Sequence, residues 1–188
     1  DFHFVDEDGA YGIRLILDHL VEMGHRRLAC IAEPTDLTKS FHRVQGYLDG
    51  LDAHEIPFDP DLLVESNFRQ RSGYQSAKQL FSLPNPPTAV IACNDLLALG
   101  AISAAQEEGY TVGQDISITG FDDILVSEYA NLTTVHQDGQ ELGSILASML
   151  MKLIKKEPIA QKQIITKPTL VIRQSSGPCI TSGCAGID

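Results

Sequence analysis

The feature that most constrains this chain is an alternation. Short apolar runs recur between longer stretches whose apolar residues fall three and four apart. The runs 27–32 (Arg-Leu-Ala-Cys-Ile-Ala) and 88–92 (Thr-Ala-Val-Ile-Ala) are almost unbroken in apolar character. A strand with apolar side chains at both parities must be covered on both faces. Between such runs, 7–23 sets Ile13, Ile16, Leu17 and Leu20 at helical spacing, and Gly24 follows as a C-terminal stop. The same reading predicts helices at 39–54, 70–82, 94–108 (closed by Gly109) and 139–155. It predicts strands at 2–5, 61–65, 115–120, 132–135, 164–165 and 169–172. Pro84-Asn-Pro-Pro87 is a hard break before one of them. Strand–helix alternation of this kind gives an α/β fold, a parallel sheet flanked by helices on both faces. From 174 onward the chain is rich in Ser and Gly without a period, and a loose tail is expected.

The 188 residues are 43% apolar and 21% charged, values of a globular chain with a real core. The net charge of −11 opposes phosphate-backbone contact, which needs clustered Lys and Arg, and opposes an anionic membrane surface. No apolar run approaches the roughly 20 residues of a spanning helix. The first residues, Asp1-Phe-His-Phe-Val5, show no signal-peptide pattern and no initiator Met, as at a cut edge. Cys30 and Cys93 fall in or beside strand-like runs, where a thiol serves as a small hydrophobe. Reduced thiols and a cytoplasmic setting are expected, with no disulfide or metal role for Cys179-x4-Cys184.

Catalytic signatures are missing. There is no G-x-S-x-G elbow, no P-loop and no Rossmann fingerprint. His19 lies within a helix and His25 beyond its end. The two are not expected to converge, and solvated surface histidines are a better reading than a metal site. No catalytic residue, cofactor or metal is expected. Asp122-Asp123 could suggest acid–base work, but adjacent carboxylates at a strand end point apart.

In parallel sheets ligands sit beyond the carboxyl ends of the strands. Arg43, Phe68, Asn94, Asp95, Asp122 and Asp123 all fall there, each group on a different strand–helix unit. Taken singly, each has an ordinary reading: an N-cap for Asn94 or Asp95, a turn for Asp122, a helix surface for Arg43, a small apolar cluster for Phe68. Gathered on one rim they form a kit for a small polyol. Asp accepts hydroxyl protons, Asn donates and accepts, Arg donates a planar fork, and Phe stacks on a sugar face or a flat base.

Several segments carry a family resemblance: 24–31 (Gly-His-Arg-Arg-Leu-Ala-Cys-Ile), 43–47 (Arg-Val-Gln-Gly-Tyr), 87–101 around Asn94-Asp95, 113–123 ending in Gly-Phe-Asp-Asp, and 132–137 (Leu-Thr-Thr-Val-His-Gln). Together, in order from about Phe4 to Arg173, they resemble the LacI/GalR family of bacterial transcription regulators. The resemblance implies a type I periplasmic-binding-protein-like fold, in which two α/β subdomains close on a small molecule, usually a sugar or purine. It implies that Arg43, Asn94 and Asp122 are polar effector contacts and Phe68 the stacking aromatic. Phe4 would be an apolar cleft residue, and Gln137 would lie on the crossover strand near the same cleft. Alanine at Asp122 or at Arg43 is then expected to weaken effector binding and spare the fold. It further implies a homodimer through 94–108 and 124–130, and DNA contact through a helix-turn-helix head that these residues do not contain.

Three positions depart from the pattern. Asn131 stands where members often carry proline, so a looser preceding loop is expected. Gly139 replaces an aromatic found in several sugar-responsive members, and 33–37 lacks the usual glycine start. By resemblance, 1–138 is the carboxyl-terminal effector-binding subdomain. Residues 139–166 are a crossover helix and strand belonging to the amino-terminal subdomain, 167–174 a return strand, and 175–188 the loose tail. Leu142, Ile145, Leu146 and Met149 would then need a substitute partner. A periplasmic sugar-binding protein of a transport system is the alternative from another class.

Overall fold

The computed structural model describes residues 2–180. Four strands form the central sheet: β2 (Leu28–Ala32), β3 (Leu63–Glu65), β4 (Ala89–Ala92) and β5 (Ser117–Thr119). They run parallel in the order β3-β2-β4-β5, with Cys30 opposite both Leu63 and Ile91, and Val90 opposite Ile118. The two parities of these strands feed two separate cores. Leu28, Cys30 and Ile91 pack with Ile13, Ile16, Leu17 and Leu20 of α1 (Gly9–Glu22) and Tyr47 of α2 (Thr38–Ala53). Ala29, Ile31, Val90 and Ile118 pack with Ala77 and Leu80 of α3 (Gln70–Phe81) and Leu97, Ala101 and Ala104 of α4 (Asp95–Glu107). That division is the physical meaning of the unbroken apolar runs.

Helices α3 and α4 meet backbone to backbone. A Cβ on Gly73 would run into the Leu97 carbonyl, and one on Gly100 into the Gln70 carbonyl. Gly24, at φ +91°, turns the chain after α1 toward β2 as the sequence suggests.

A two-stranded parallel sheet stands apart from the central one, pairing β1 (Phe4–Glu7) with β7 (Gln163–Thr166). A second pair is antiparallel, β6 (Thr134–His136) with β8 (Thr169–Val171). Isolated bridges Thr119–Thr133 and Asp122–His136 tie β6 to the end of β5. Helix α6 (Gly139–Lys155) starts on an Asp138 cap and contacts β1. Of its apolar residues Met149 is buried, whereas Leu150 and Ile154 are 57% and 66% exposed.

Element boundaries depart from the sequence expectations in a few places. The expected strand 61–65 begins as a 3-10 turn (Pro60–Leu62), because Pro60 sets φ and Asp59 accepts the Asp61 N–H. The expected looser loop before Asn131 is instead a short helix, α5 (Leu125–Tyr129), five residues and too brief to show a period. Asn131 closes it at φ +51°, a conformation closed to proline.

The larger correction concerns the tail. Ser175 and Ser176 are buried rather than loose. The Ile118 N–H donates to Ser175 O at 2.8 Å, and Ser175 Oγ accepts the Thr133 N–H at 2.8 Å. Ser175 Oγ also donates to Ile118 O. The segment thus fills the gap between β5 and β6. It does so against two histidines that prove buried, not solvated, and that converge on it. His19 Nε2 meets Ser176 Oγ at 2.9 Å. His25 Nε2 lies 3.0 Å from Gly177 O, which can only accept, so Nε2 carries the proton. Burial pushes both imidazoles below the ordinary histidine value. Cys30 and Cys93 are free and buried, as expected. Cys179 is disulfide-bonded, against the expectation of reduced thiols, and Cys184 lies outside the described residues.

Candidate functional site

Arg43 sits in the second turn of α2, and its side chain is 5% exposed. A buried guanidinium must be paired and hydrogen-bonded. Its Nη2 lies 3.1 Å from Glu7 Oε1 and 3.1 Å from Asp122 Oδ1, and its Nη1 donates to Cys93 O. Glu33 Oε2 stands 3.8 Å from Nη1. The cation also lies over the Phe121 ring, 3.8 Å from its centroid. One side chain from α2 therefore ties together the ends of β1, β2, β4 and β5.

Backbone geometry aims the carboxylate that follows β5. Asp122 and Asp123 have φ of +109° and +51°, and the two side chains point apart. Asp122 turns to Arg43, and its Oδ1 also accepts from Gln137 Nε2 at 2.9 Å. Asp123 turns to Arg173 at 2.8 Å and His136 at 3.0 Å. Strain of this kind needs a support. Asp95, fully buried, accepts the Ile124 N–H at 2.9 Å and the Ser127 and Thr134 hydroxyls at 2.6 Å each. Its own N–H donates to Phe121 O at 2.8 Å. Asp95 therefore builds the turn and does not face the opening. Burial pushes the Asp122 carboxyl up to about 6, against the pull of Arg43 and with the help of the Asp95, Glu33 and Glu7 charges.

A recess of about 490 Å³ opens at this rim, a size suited to a small molecule. Arg43, Asp122, Phe68 and Gln137 line it, four of the six side chains that the family resemblance singles out. Phe68 is 44% exposed, with its ring available. The other two stand elsewhere. Asn94 is buried behind the wall: its Oδ1 caps α4 by accepting the Leu97 N–H at 2.8 Å, and its Nδ2 donates to Glu33 Oε1 at 2.6 Å. The cap reading holds for Asn94, with Glu33 as its second partner. Phe4 opens β1 opposite Gln163 and does not line the recess.

Glu7, Glu33, Lys39 and Ser40, which the sequence pattern does not single out, also line the recess. The helical period places Glu7 in the first helix, whereas Glu7 is the last residue of β1 and lies at the mouth. Glu33 sits in the 33–37 loop, whose departure from the family pattern was the available signal. Ser40 Oγ donates to Glu33 Oε2 at 3.1 Å, and Lys39 Nζ reaches Asp6 at 3.1 Å. Burial also revises one mutational expectation. Removing Arg43 would strand Glu7 and Glu33 in a dry setting, so only the Asp122 substitution is expected to spare the fold.

Comparison with known families settles the kinship. The family described as "Periplasmic binding protein-like domain" matches residues 17–176. The chain belongs to that family. Within it, the chain is similar to LacI-type regulators. It is 34% identical over 162 residues to the HTH-type transcriptional repressor CytR of Escherichia coli K12, which covers 85% of this chain and 48% of CytR. Thus the chain spans about half the length of the curated relative it matches. Among solved structures, a LacI-family regulatory protein from Chloroflexus aggregans superposes with a TM-score of 0.90 at 34% identity, over 94% of this chain and 64% of that one. The CelR–cellobiose complex gives 0.87 at 31% identity, over 93% and 54%. The lac repressor dimer bound to operator and an anti-inducer gives 0.84 at 32%, over 92% and 60%. For a periplasmic-binding-protein-like domain, the recess stands where parallel α/β sheets bind ligands, beyond the carboxyl ends of the strands.

Proposed function

We propose that this domain is the effector-sensing half of a LacI-type transcriptional regulator. It has no catalytic role in this reading. It binds a small molecule, a sugar or else a purine, against the recess held open by Arg43. The observation that carries the reading is Arg43 itself: one buried cation joined to Glu7, Glu33 and Asp122 beside an exposed Phe68. A charge network of that cost is a poor stabiliser of a core and a good scaffold for a polar ligand. A structural neighbour was solved with cellobiose, which favours the sugar.

Effector binding biases the closure of this half on an amino-terminal subdomain, and can shift that balance only by its differential affinity for the two states. Residues 1–138 form the carboxyl-terminal subdomain in this reading. Residues 139–166 belong with the other subdomain, and the exposed Leu150 and Ile154 fit that assignment. Pairing into a homodimer uses an apolar patch where α4 meets α5. Leu125, Val126 and Tyr129 are 72%, 53% and 78% exposed there, beside Leu96. Operator contact is made by a helix-turn-helix head outside these 188 residues, in the cytoplasm. The regulators among the named relatives favour this over the transport reading.

Titration calorimetry of the chain against a panel of sugars and nucleosides tests the proposal. A binder should emerge, and Asp122→Ala should weaken it about tenfold or more while the fold is retained. Unchanged affinity in that variant would sink the site assignment.

A further inference from the structure

Two hydrogen-bond donors and a cation at the recess converge on a group that belongs to the chain itself. Glu33 Oε1 accepts from Asn94 Nδ2 at 2.6 Å, and Glu33 Oε2 accepts from Ser40 Oγ at 3.1 Å. Arg43 Nη1 stands 3.8 Å from the same Oε2. An amide, a hydroxyl and a guanidinium are groups that a bound polar molecule could use. Glu33 and Ser40 line the recess, whereas Asn94 does not. The Glu33 carboxylate therefore stands between Asn94 and the opening.

Of the three carboxylates around Arg43, Glu33 is held least. Glu7 and Asp122 each lie 3.1 Å from Nη2, within hydrogen-bond reach, and Glu33 at 3.8 Å lies outside it. The three crowd one guanidinium, and the Glu33 charge is among those that push the Asp122 carboxyl up. Moving Glu33 away relieves that repulsion and leaves Arg43 with two partners. The segment that follows Glu33 is lightly anchored. Thr35, Asp36 and Leu37 are exposed, Thr35 reaches Glu65 only at 3.3 and 3.4 Å, and α2 begins after Leu37 without a side-chain cap.

We infer that Glu33 is an internal competitor of the effector: its carboxylate fills a polar subsite of the recess, and an effector gains Asn94 and Ser40 only by displacing it. This rests on the effector-sensing reading and adds to it a threshold set by one side chain. The apparent Kd is then the intrinsic one divided by the fraction of chains in which Glu33 has moved out. Residues 33–37, where the chain departs from the family pattern, become the place where sensitivity is tuned.

The test is titration calorimetry of ribose, cellobiose and adenosine against the 188-residue chain and two variants, each checked for folding by circular dichroism. Glu33→Ala empties the subsite and should bind at least one probe about tenfold more tightly than the wild-type chain does. Glu33→Gln keeps the shape and replaces a charged acceptor by a neutral one, so the gain should be smaller, about threefold. Affinity unchanged or lowered in Glu33→Ala, or in Glu33→Gln should the alanine variant not fold, overturns the inference and leaves the effector reading standing. Glu33 would then be a wall residue or a direct contact of the effector. If neither variant folds, Glu33 is a structural anchor and the inference falls. If no probe binds any of the three chains, the effector reading falls and the inference with it.

Discussion

Arg43 Nη2 and Asp122 Oδ1 lie 3.1 Å apart, one on α2 and the other in a left-handed turn after β5. The two ends of that contact differ in kind. Arg43 is enclosed, with a side chain 5% exposed, whereas the Asp122 side chain is 35% exposed and lines the recess. Arg43 holds the wall, and Asp122 presents a carboxylate to whatever enters. Substitutions at the two positions should therefore fail in different ways.

Arg43→Leu leaves Glu7 and Glu33 buried without their cation. The loss should be about 3–5 kcal/mol of folding stability, a Tm drop on the order of 10 °C. Calorimetric unfolding measures it. A drop within a degree or two would mean that the carboxylates find water or protons instead.

Asp122→Asn keeps the shape and removes the charge. With its carboxyl titrating at about 6, the wild-type side chain is ionised at pH 7.5 and protonated at pH 5. The ionised form is the stronger acceptor, so effector affinity should fall about five- to tenfold as pH drops through 6. The Asn variant should be weak and flat across that range. The stability effect has the opposite sign. A carboxyl raised in the folded state contributes fully below the ordinary value near 3.8 and loses that contribution as pH rises through about 6.

His19 and His25 act the other way in a neighbouring window. Their folded values are lowered, so their contribution is full above the ordinary 6.5 and is lost as pH falls from there through the depressed folded values. Hydrogen exchange should show it locally. The Ile118 amide, bonded to Ser175 O, should lose protection on acidification before amides in the centre of β4. Equal loss at both would make the tail part of one global transition.

Gly100→Ala should cost about 3 kcal/mol, because its Cβ would enter the backbone of α3 at Gln70 and Tyr74 and no side chain there can swing aside. Urea unfolding should show a lower midpoint with an unchanged slope. Ala at Gly109 or Gly139 meets nothing within 4 Å, but only Gly139 lacks a positive φ. Gly139→Ala therefore serves as the neutral control.

The elements that the sequence exposes most clearly are those whose signal is local. The apolar parities of β2 and β4 and the helical period of α1 or α6 need no partner to be read. Helix α6 in fact spans the expected residues, Gly139–Lys155. What stays hidden depends on contacts far along the chain. Nothing near His25 announces that Gly177 will bury it, and nothing near Ser175 announces an open edge on β5. The site divides on the same line. The family pattern brings Arg43, Asp122, Phe68 and Gln137 to the recess, but Glu7 is misplaced by the two or three residues that separate a strand end from a helix start. Asn94 shows the converse, since a residue can stand in a recognisable motif and still spend its amide on a cap and a neighbouring carboxylate.

The strap at 175–177 also fixes an order of events during synthesis. Every partner that it covers is made earlier, and Thr133 precedes Ser175 by 42 residues. Until the strap is in place, the Ile118 amide lacks its Ser175 acceptor, and His19 and His25 lack the Ser176 and Gly177 groups that they meet in the fold. The β5 edge waits for the final residues of the strap to arrive. A chain truncated before residue 175 should accordingly be held by chaperones that recognise open strand edges, and a chain that includes the strap should not.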